Sequence, residues 1–263
     1  DFKGHAFFEG SSIRKIGQTY YFVYSSQKNH ELCYATSCYP DRDFRFGGTL
    51  VSNGDVGLDG RKENERTNAT GTTHGSIEQI GGQWYVFYHR LTHGSDYSRQ
   101  MCAEPLQLLP DGSFRQAEMT SCGLNGGDLP GTGEYPAAIC CSLSNEKMPH
   151  IANQMRTDIP RITHKDDVWY IADATAGTSV TYKYFAIGQN TQLSLTAKGS
   201  ARVQVLLDDT PVGTLEFSAA LWAAQTLPAL PARRHTVLQL RIETGTLDIL
   251  SLTFSQEKDN TTL

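Results

Sequence analysis

Tyr20-Tyr21-Phe22-Val23-Tyr24-Ser25 and Gln83-Trp84-Tyr85-Val86-Phe87-Tyr88 decide the fold. Each is an aromatic, β-branched run bounded by turn residues: Gly17-Gln18 and Ser26-Gln27 around the first, Gly81-Gly82 before the second. Strand propensity and turn punctuation agree in both. The runs sit in a repeat. Ser11-Ser12-Ile13-Arg14-Lys15-Ile16 precedes the first as Gly75-Ser76-Ile77-Glu78-Gln79-Ile80 precedes the second. Further strand pairs are expected after each: 31–35 with 44–51, then 101–109 with 114–120. Asp111-Gly112 marks the hairpin of the last pair. Four antiparallel strands recurring at about 40–65 residues form the pattern of a β-propeller blade. Two such blades are legible, whereas a closed propeller needs at least about four. A β-sandwich with two similar hairpins is the plainer alternative.

The rest of the chain is also read as β, since no segment carries a useful 3.6-residue apolar stripe. Residues 53–73 form a polar inter-blade loop, and 123–136, with five Gly and two Pro, a second loop. From Trp169 onward, short alternating runs such as Arg202-Val203-Gln204-Val205 and Leu238-Gln239-Leu240-Arg241-Ile242 predict a small sandwich or jelly roll. The expected fold class is all-β, with a partial propeller over 1–148, a linker over 149–168, a β-sandwich over 169–255 and a tail over 256–263.

Composition narrows the function. The chain has 263 residues, 39% apolar and 19% charged, with 12 Tyr, 11 Phe and 3 Trp, which excludes a disordered chain. Its net charge of -5 disfavours nucleic acid, which demands a basic face. No apolar run approaches the roughly 18 residues of a spanning helix, so no membrane partner is expected. The six cysteines match no zinc spacing. Their even count leaves disulfides open, but most are expected to be buried thiols in a reducing compartment, which places the chain in the cytoplasm.

His5-Ala6-Phe7-Phe8-Glu9-Gly10-Ser11-Ser12-Ile13-Arg14-Lys15-Ile16, followed by Tyr20 to Ser25, resembles the general-acid segment of glycoside hydrolase family 43. Thr73-His74-Gly75-Ser76-Ile77 with Trp84 to Arg90, and Arg99 to Glu104, is similar to a later blade of that family. The resemblance covers about residues 1–145. More weakly, the region from Trp169 to Phe254 resembles a carbohydrate-binding-module-6-like sandwich. The first resemblance implies a five-bladed propeller and inverting hydrolysis of terminal α-L-arabinofuranosyl or β-D-xylosyl units, with an oligosaccharide as substrate.

Glycoside hydrolysis needs a protonated carboxyl group on the leaving oxygen and a second carboxylate across the sugar. Residue for residue, the resemblance implies that Glu9 is the acid. It places His74 near the propeller centre, beside a calcium ion reached through waters. Arg90, with its bidentate fork, is a candidate for sugar hydroxyls, and Phe8 is a candidate platform for a sugar ring. The family's base Asp and acid-tuning Asp find no counterpart. Asp41, Asp43, Asp55, Asp59 and Asp111 read as turn residues, and Asp1 matches neither missing motif. The chain is therefore expected to be a fragment with little turnover, associating with the missing N-terminal blades or with itself. The alternative is a non-catalytic carbohydrate-binding protein acting through the sandwich, with Trp169, Tyr182, Tyr184 and Trp222 as stacking candidates.

Overall fold

The computed structural model describes residues 2, 4–146 and 148–256. Its contacts divide the chain into two compact units. One joins Asp1–Met119 with Met148–Met155, and the other joins Thr120–Lys147 with Arg156–Leu263.

The first unit holds two antiparallel sheets. The strands β1 (Phe7–Ile16), β2 (Thr19–Ser26), β3 (Leu32–Ser37) and β4 (Arg45–Val51) lie side by side in chain order. The strands β5 (Gly75–Ile80), β6 (Gln83–Thr92) and β7 (Ser95–Leu106) do the same. Both aromatic runs are central strands, as their lack of Pro and Gly allows. Neither sheet closes on itself among the described residues.

The second sheet has three strands where four were expected. Residues 114–120 add no strand to that sheet; they meet the segment just after β7 through a bridge between Leu108 and Phe114 and the Arg115 N–H bond to Gln107 C=O. The segment instead crosses to the first sheet. Phe114 N–H donates to Tyr34 Oη at 2.8 Å, and its ring meets Tyr21 and Tyr34 edge-on at 5.5 and 5.7 Å. Ala117 N–H donates to Leu50 C=O, and Met119 N–H to Asp55 Oδ1. Burying one Phe ring among aromatics outweighs another ladder of exposed edge hydrogen bonds.

The second unit contains β8 (Leu129–Pro130), β9 (Gly133–Pro136), β10 (Ser142–Ser144), β11 (Arg161–Lys165), β12 (Val168–Thr175), β13 (Ser179–Ile187), β14 (Thr191–Leu207), β15 (Thr210–Leu230) and β16 (Arg233–Gln256). They form one connected nine-stranded sheet around a shared apolar core. Strands β12 to β16 supply most of that core, including Tyr182, Phe185, Leu195, Val203, Leu240 and Phe254. The short runs expected after Trp169 are fused into long strands. Gly245, at φ +81, keeps β16 continuous because any Cβ there would meet Ser200 C=O of β14 at 2.0 Å.

Three sequence expectations are corrected. The loop over 123–136 carries β8 and β9, which pair with β13 and β16. The linker over 149–168 is structured. Ile151, almost fully buried, donates its backbone N–H to Thr70 C=O, and Thr70 N–H donates to Pro149 C=O, while Arg161–Lys165 is a strand. The boundary expected at 148 falls elsewhere, because strands within 129–144 pair with β13 and β16 and Tyr135 sits edge-on to Phe185 and Phe254. Of the expected tail, Gln256 ends β16, and 257–263 lie outside the described residues.

Phe114→Ala is expected to cost about 3–5 kcal/mol, the range for removing a buried Phe. Urea unfolding of the chain checks this, and a loss below about 1 kcal/mol would show that residues 114–119 do not pin the first sheet.

Candidate functional site

Glu9 lies on β1 between two breaks in its register with β2, one from Phe7 to Glu9 and one from Glu9 to Ser12. Such bulges re-aim side chains. Gly10 occupies the second break at φ +64, and a Cβ there would sit 2.5 Å from the imidazole of His74. Only glycine allows both the left-handed backbone and this close approach. The result is a direct contact: His74 Nε2 lies 2.9 Å from Glu9 Oε1. Ser12 Oγ reinforces it by donating to Ser76 Oγ at 3.0 Å, and Arg14 Nε lies 3.4 Å from Glu78 Oε2, so β1 is tied both to β5 and to the residue before it.

His74 is held in turn by its backbone, whose N–H donates to His89 Nε2 at 3.0 Å. That fixes His89 as the tautomer with its proton on Nδ1. Burial, aided by the charges of Arg99 and His74, pushes His89 down to about 4, so the ring is neutral near pH 7. The Nδ1 atom is buried and has no partner among the described residues.

Phe8 stacks on His30 at 4.5 Å and 11°. Burial pushes His30 below its ordinary value, while the charges of Glu9 and Asp96 pull the other way. Asp96 is 7% exposed. Its Oδ2 accepts from Asn153 N–H at 2.7 Å, and its Oδ1 is buried without a partner among the described residues. His30 Nδ1 is in the same condition.

The structure thus brings Glu9 and His74 into contact and sets Phe8 against a ring that feels the charge of Glu9. Arg90 goes elsewhere. It is 5% exposed, donates from Nε to Gln100 Oε1 at 3.0 Å, and lies on the face of β6 opposite to His89. His30, His89 and Asp96 escaped the sequence reading. For His89, strand parity was the available signal, since neighbours on a strand cannot share a face. His30 lies in the turn between β2 and β3 and Asp96 at the start of β7, and the long-range contacts that bring them to the site are not revealed by any local pattern.

In the second unit, Tyr182 is core, its Oη donating to Ala137 C=O, and Trp169 packs on His164 and the core. Tyr184 stacks on His235 at 3.8 Å. Trp222 is 37% exposed, edge-on to Tyr170, with Lys198 Nζ 4.6 Å above its ring.

The donor set at His74 does not fit direct calcium ligation. Among the described residues the side-chain oxygen in contact with it is Glu9 Oε1, and Nε2 is committed to that oxygen, whereas calcium takes about 6–8 oxygens. None of the six cysteines is in a disulfide among the described residues, with Cys33, Cys140 and Cys141 buried and Cys38 exposed.

These features define an all-β protein. The chain is homologous to a xylosidase/arabinosidase of Thermoclostridium stercorarium, 46% identical over 194 residues that cover 70% of this chain and 41% of that protein. A xylosidase/arabinosidase of Bacteroides ovatus is 33% identical over 109 residues, 40% of this chain and 29% of its own. The chain spans less than half the length of these relatives. No protein-family model matches it. A solved family 43 arabinoxylan arabinofuranohydrolase of Bacillus subtilis, in complex with cellotetraose, aligns over 95% of this chain and 54% of its own at 17% identity. Its TM-score of 0.49 is too low to decide fold or function.

Two outcomes follow from the geometry. Gly10→Ala is expected to destabilise the chain by at least about 1–2 kcal/mol through its left-handed backbone, and to shift the His74 ring resonances in NMR spectra; an unmoved ring would contradict the close approach. His89 has a depressed value in the folded chain and 6.5 when unfolded, so its contribution is complete above pH 6.5 and is lost as pH falls toward 4. The stability advantage over His89→Gln is therefore expected to shrink across that window in urea titrations, and a constant difference would refute it.

Proposed function

We propose that the first unit supplies the proton donor of a glycoside hydrolase that removes terminal α-L-arabinofuranosyl or β-D-xylosyl units from plant-cell-wall oligosaccharides with inversion. The observation that carries this is the contact of Glu9 Oε1 with His74 Nε2, in a chain 46% identical over 194 residues to a xylosidase/arabinosidase. His74, donating from Nε2, holds Oε1 in place. Oε2 of a protonated Glu9 then faces the glycosidic oxygen and delivers the proton as the bond to the anomeric carbon breaks. His89 Nδ1–H and Asp96 Oδ1, a buried donor and a buried acceptor, suit hydroxyl groups of a sugar.

Inversion also needs a carboxylate roughly 6.5–9.5 Å from the acid, to activate water on the far face of the sugar. On this reading the base belongs to a part of the whole protein that the chain does not span, and the two sheets are blades of a five-bladed propeller. The second unit is a carbohydrate-binding sandwich of jelly-roll type.

A second reading, a non-catalytic carbohydrate-binding protein, is favoured by one observation. Trp222, Tyr170 and Lys198 gather beside an open cleft of about 760 Å³ lined by Asp173, Lys198, Ser200, Thr246 and Asp248. An exposed indole next to polar groups is a common sugar platform.

Xylobiose hydrolysis distinguishes the two. The 263-residue chain alone is expected to turn over little, and to gain activity when the N-terminal half of the Thermoclostridium stercorarium relative is added. Glu9→Gln is expected to remove about 100-fold or more of that activity, with a smaller loss on aryl glycosides whose leaving groups need no proton. Equal losses on both substrates, or robust turnover by the chain alone, would overturn the assignment.

A further inference from the structure

Three side chains of the first unit meet at a place that the proposed chemistry does not use. His5 precedes β1, Glu31 immediately precedes β3, and Cys33 lies on β3. Glu31 and Cys33 are two residues apart in extended chain, so they project to the same side. His5 Nδ1 faces both, 3.8 Å from Glu31 Oε2 and 3.8 Å from Cys33 Sγ. All three ligand atoms lie within 4.8 Å of one another.

The cluster is built rather than incidental. The His5 ring stacks on Phe46 at 4.6 Å and 12°. Its backbone is tied on both sides, with N–H donating to Phe2 C=O and C=O accepting from Tyr24 Oη at 2.7 Å. Thr49 Oγ1 lies 3.7 Å from Cys33 Sγ, where it can orient a thiolate. Glu31 is 5% exposed and Cys33 fully buried, while the His5 side chain is a quarter exposed and leaves a route in from solvent.

The charge state is unusual for such burial. The base in contact with Glu31 is His5, which burial and Lys28 push toward the neutral form. Burial raises the Glu31 carboxyl to about 7 in spite of Lys28 and Arg66. A buried carboxylate asks for a paired cation or a metal.

We propose that His5 Nδ1, Glu31 and Cys33 Sγ form a site for a divalent transition metal of the zinc type, with a fourth position open to water. A dication on a carboxylate and a thiolate sums to zero charge, the arrangement that burial tolerates best. Binding releases the Cys33 thiol proton, and any proton on Glu31, to solvent. The mixed N, O and S set selects zinc, cobalt or a similar ion and excludes calcium and magnesium, which take oxygen. Ideal tetrahedral zinc holds such ligand atoms about 3.3–3.6 Å apart. The two separations from His5, 3.8 Å each, exceed that by a few tenths of an ångström, within reach of side-chain rotation, and the Glu31–Cys33 pair lies within 4.8 Å.

The test is a Co²⁺ titration of the reduced 263-residue chain at neutral pH, read by the thiolate-to-cobalt charge-transfer band. The expected result is a band that saturates at one equivalent and is displaced by Zn²⁺. It is absent in Cys33→Ala and retained in Cys38→Ser. His5→Ala, at a partly exposed position, is expected to weaken Co²⁺ binding about tenfold or more, and it decides the matter if Cys33→Ala does not fold. No band at excess cobalt, a band that survives in folded Cys33→Ala, or unchanged affinity in His5→Ala would overturn the site.

Discussion

The first unit turns on one close approach, that of the His74 imidazole to the backbone of Gly10. Without a Cβ at position 10, β1 can bulge and bring its next carboxylate, that of Glu9, onto His74 Nε2. The contact joins the N-terminal part of β1 to the start of β5, and Ser12 with Ser76 repeats the link two residues further along. Local strain and a functional contact share one residue, the usual place to find a left-handed backbone that the surroundings over-determine.

Around that contact, polarity and burial are in tension. His30, His89 and Asp96 are withdrawn from solvent, yet each keeps a polar atom without a protein partner among the described residues. A core built for stability alone would pair such atoms. His89 is the clearest case. Its neutral ring accepts from the His74 backbone and so orients the residue that orients Glu9, while its other nitrogen faces outward from that chain of contacts. The arrangement resembles a positioning relay more than a packing solution.

Much of this was legible beforehand. The two aromatic strands, their hairpins and the β texture of the C-terminal half follow from residue type and turn punctuation, which act locally. Glu9 and His74 were legible through motif resemblance. What local pattern does not encode is which distant edge a segment chooses. Residues 114–119 carry strand-like sequence but bond to β4, to the loop after it and to Tyr34, because the Phe114 ring finds aromatic partners there. The Gly-rich stretch at 123–136 became edge strands because Tyr135 had a core to enter. Arg90 sits away from Glu9 by strand parity, a signal that residue chemistry alone overrode.

The central claim is that Glu9, held by His74, presents its free carboxyl oxygen to a glycosidic bond. A crystal structure of the 263-residue chain soaked with a non-hydrolysable xylobiose analogue tests it most directly. The account predicts the inter-sugar heteroatom within about 2.6–3.2 Å of Glu9 Oε2, with a sugar hydroxyl on His89 Nδ1. An analogue bound only beside Trp222, or a Glu9 side chain rotated away from His74 into solvent, would contradict it.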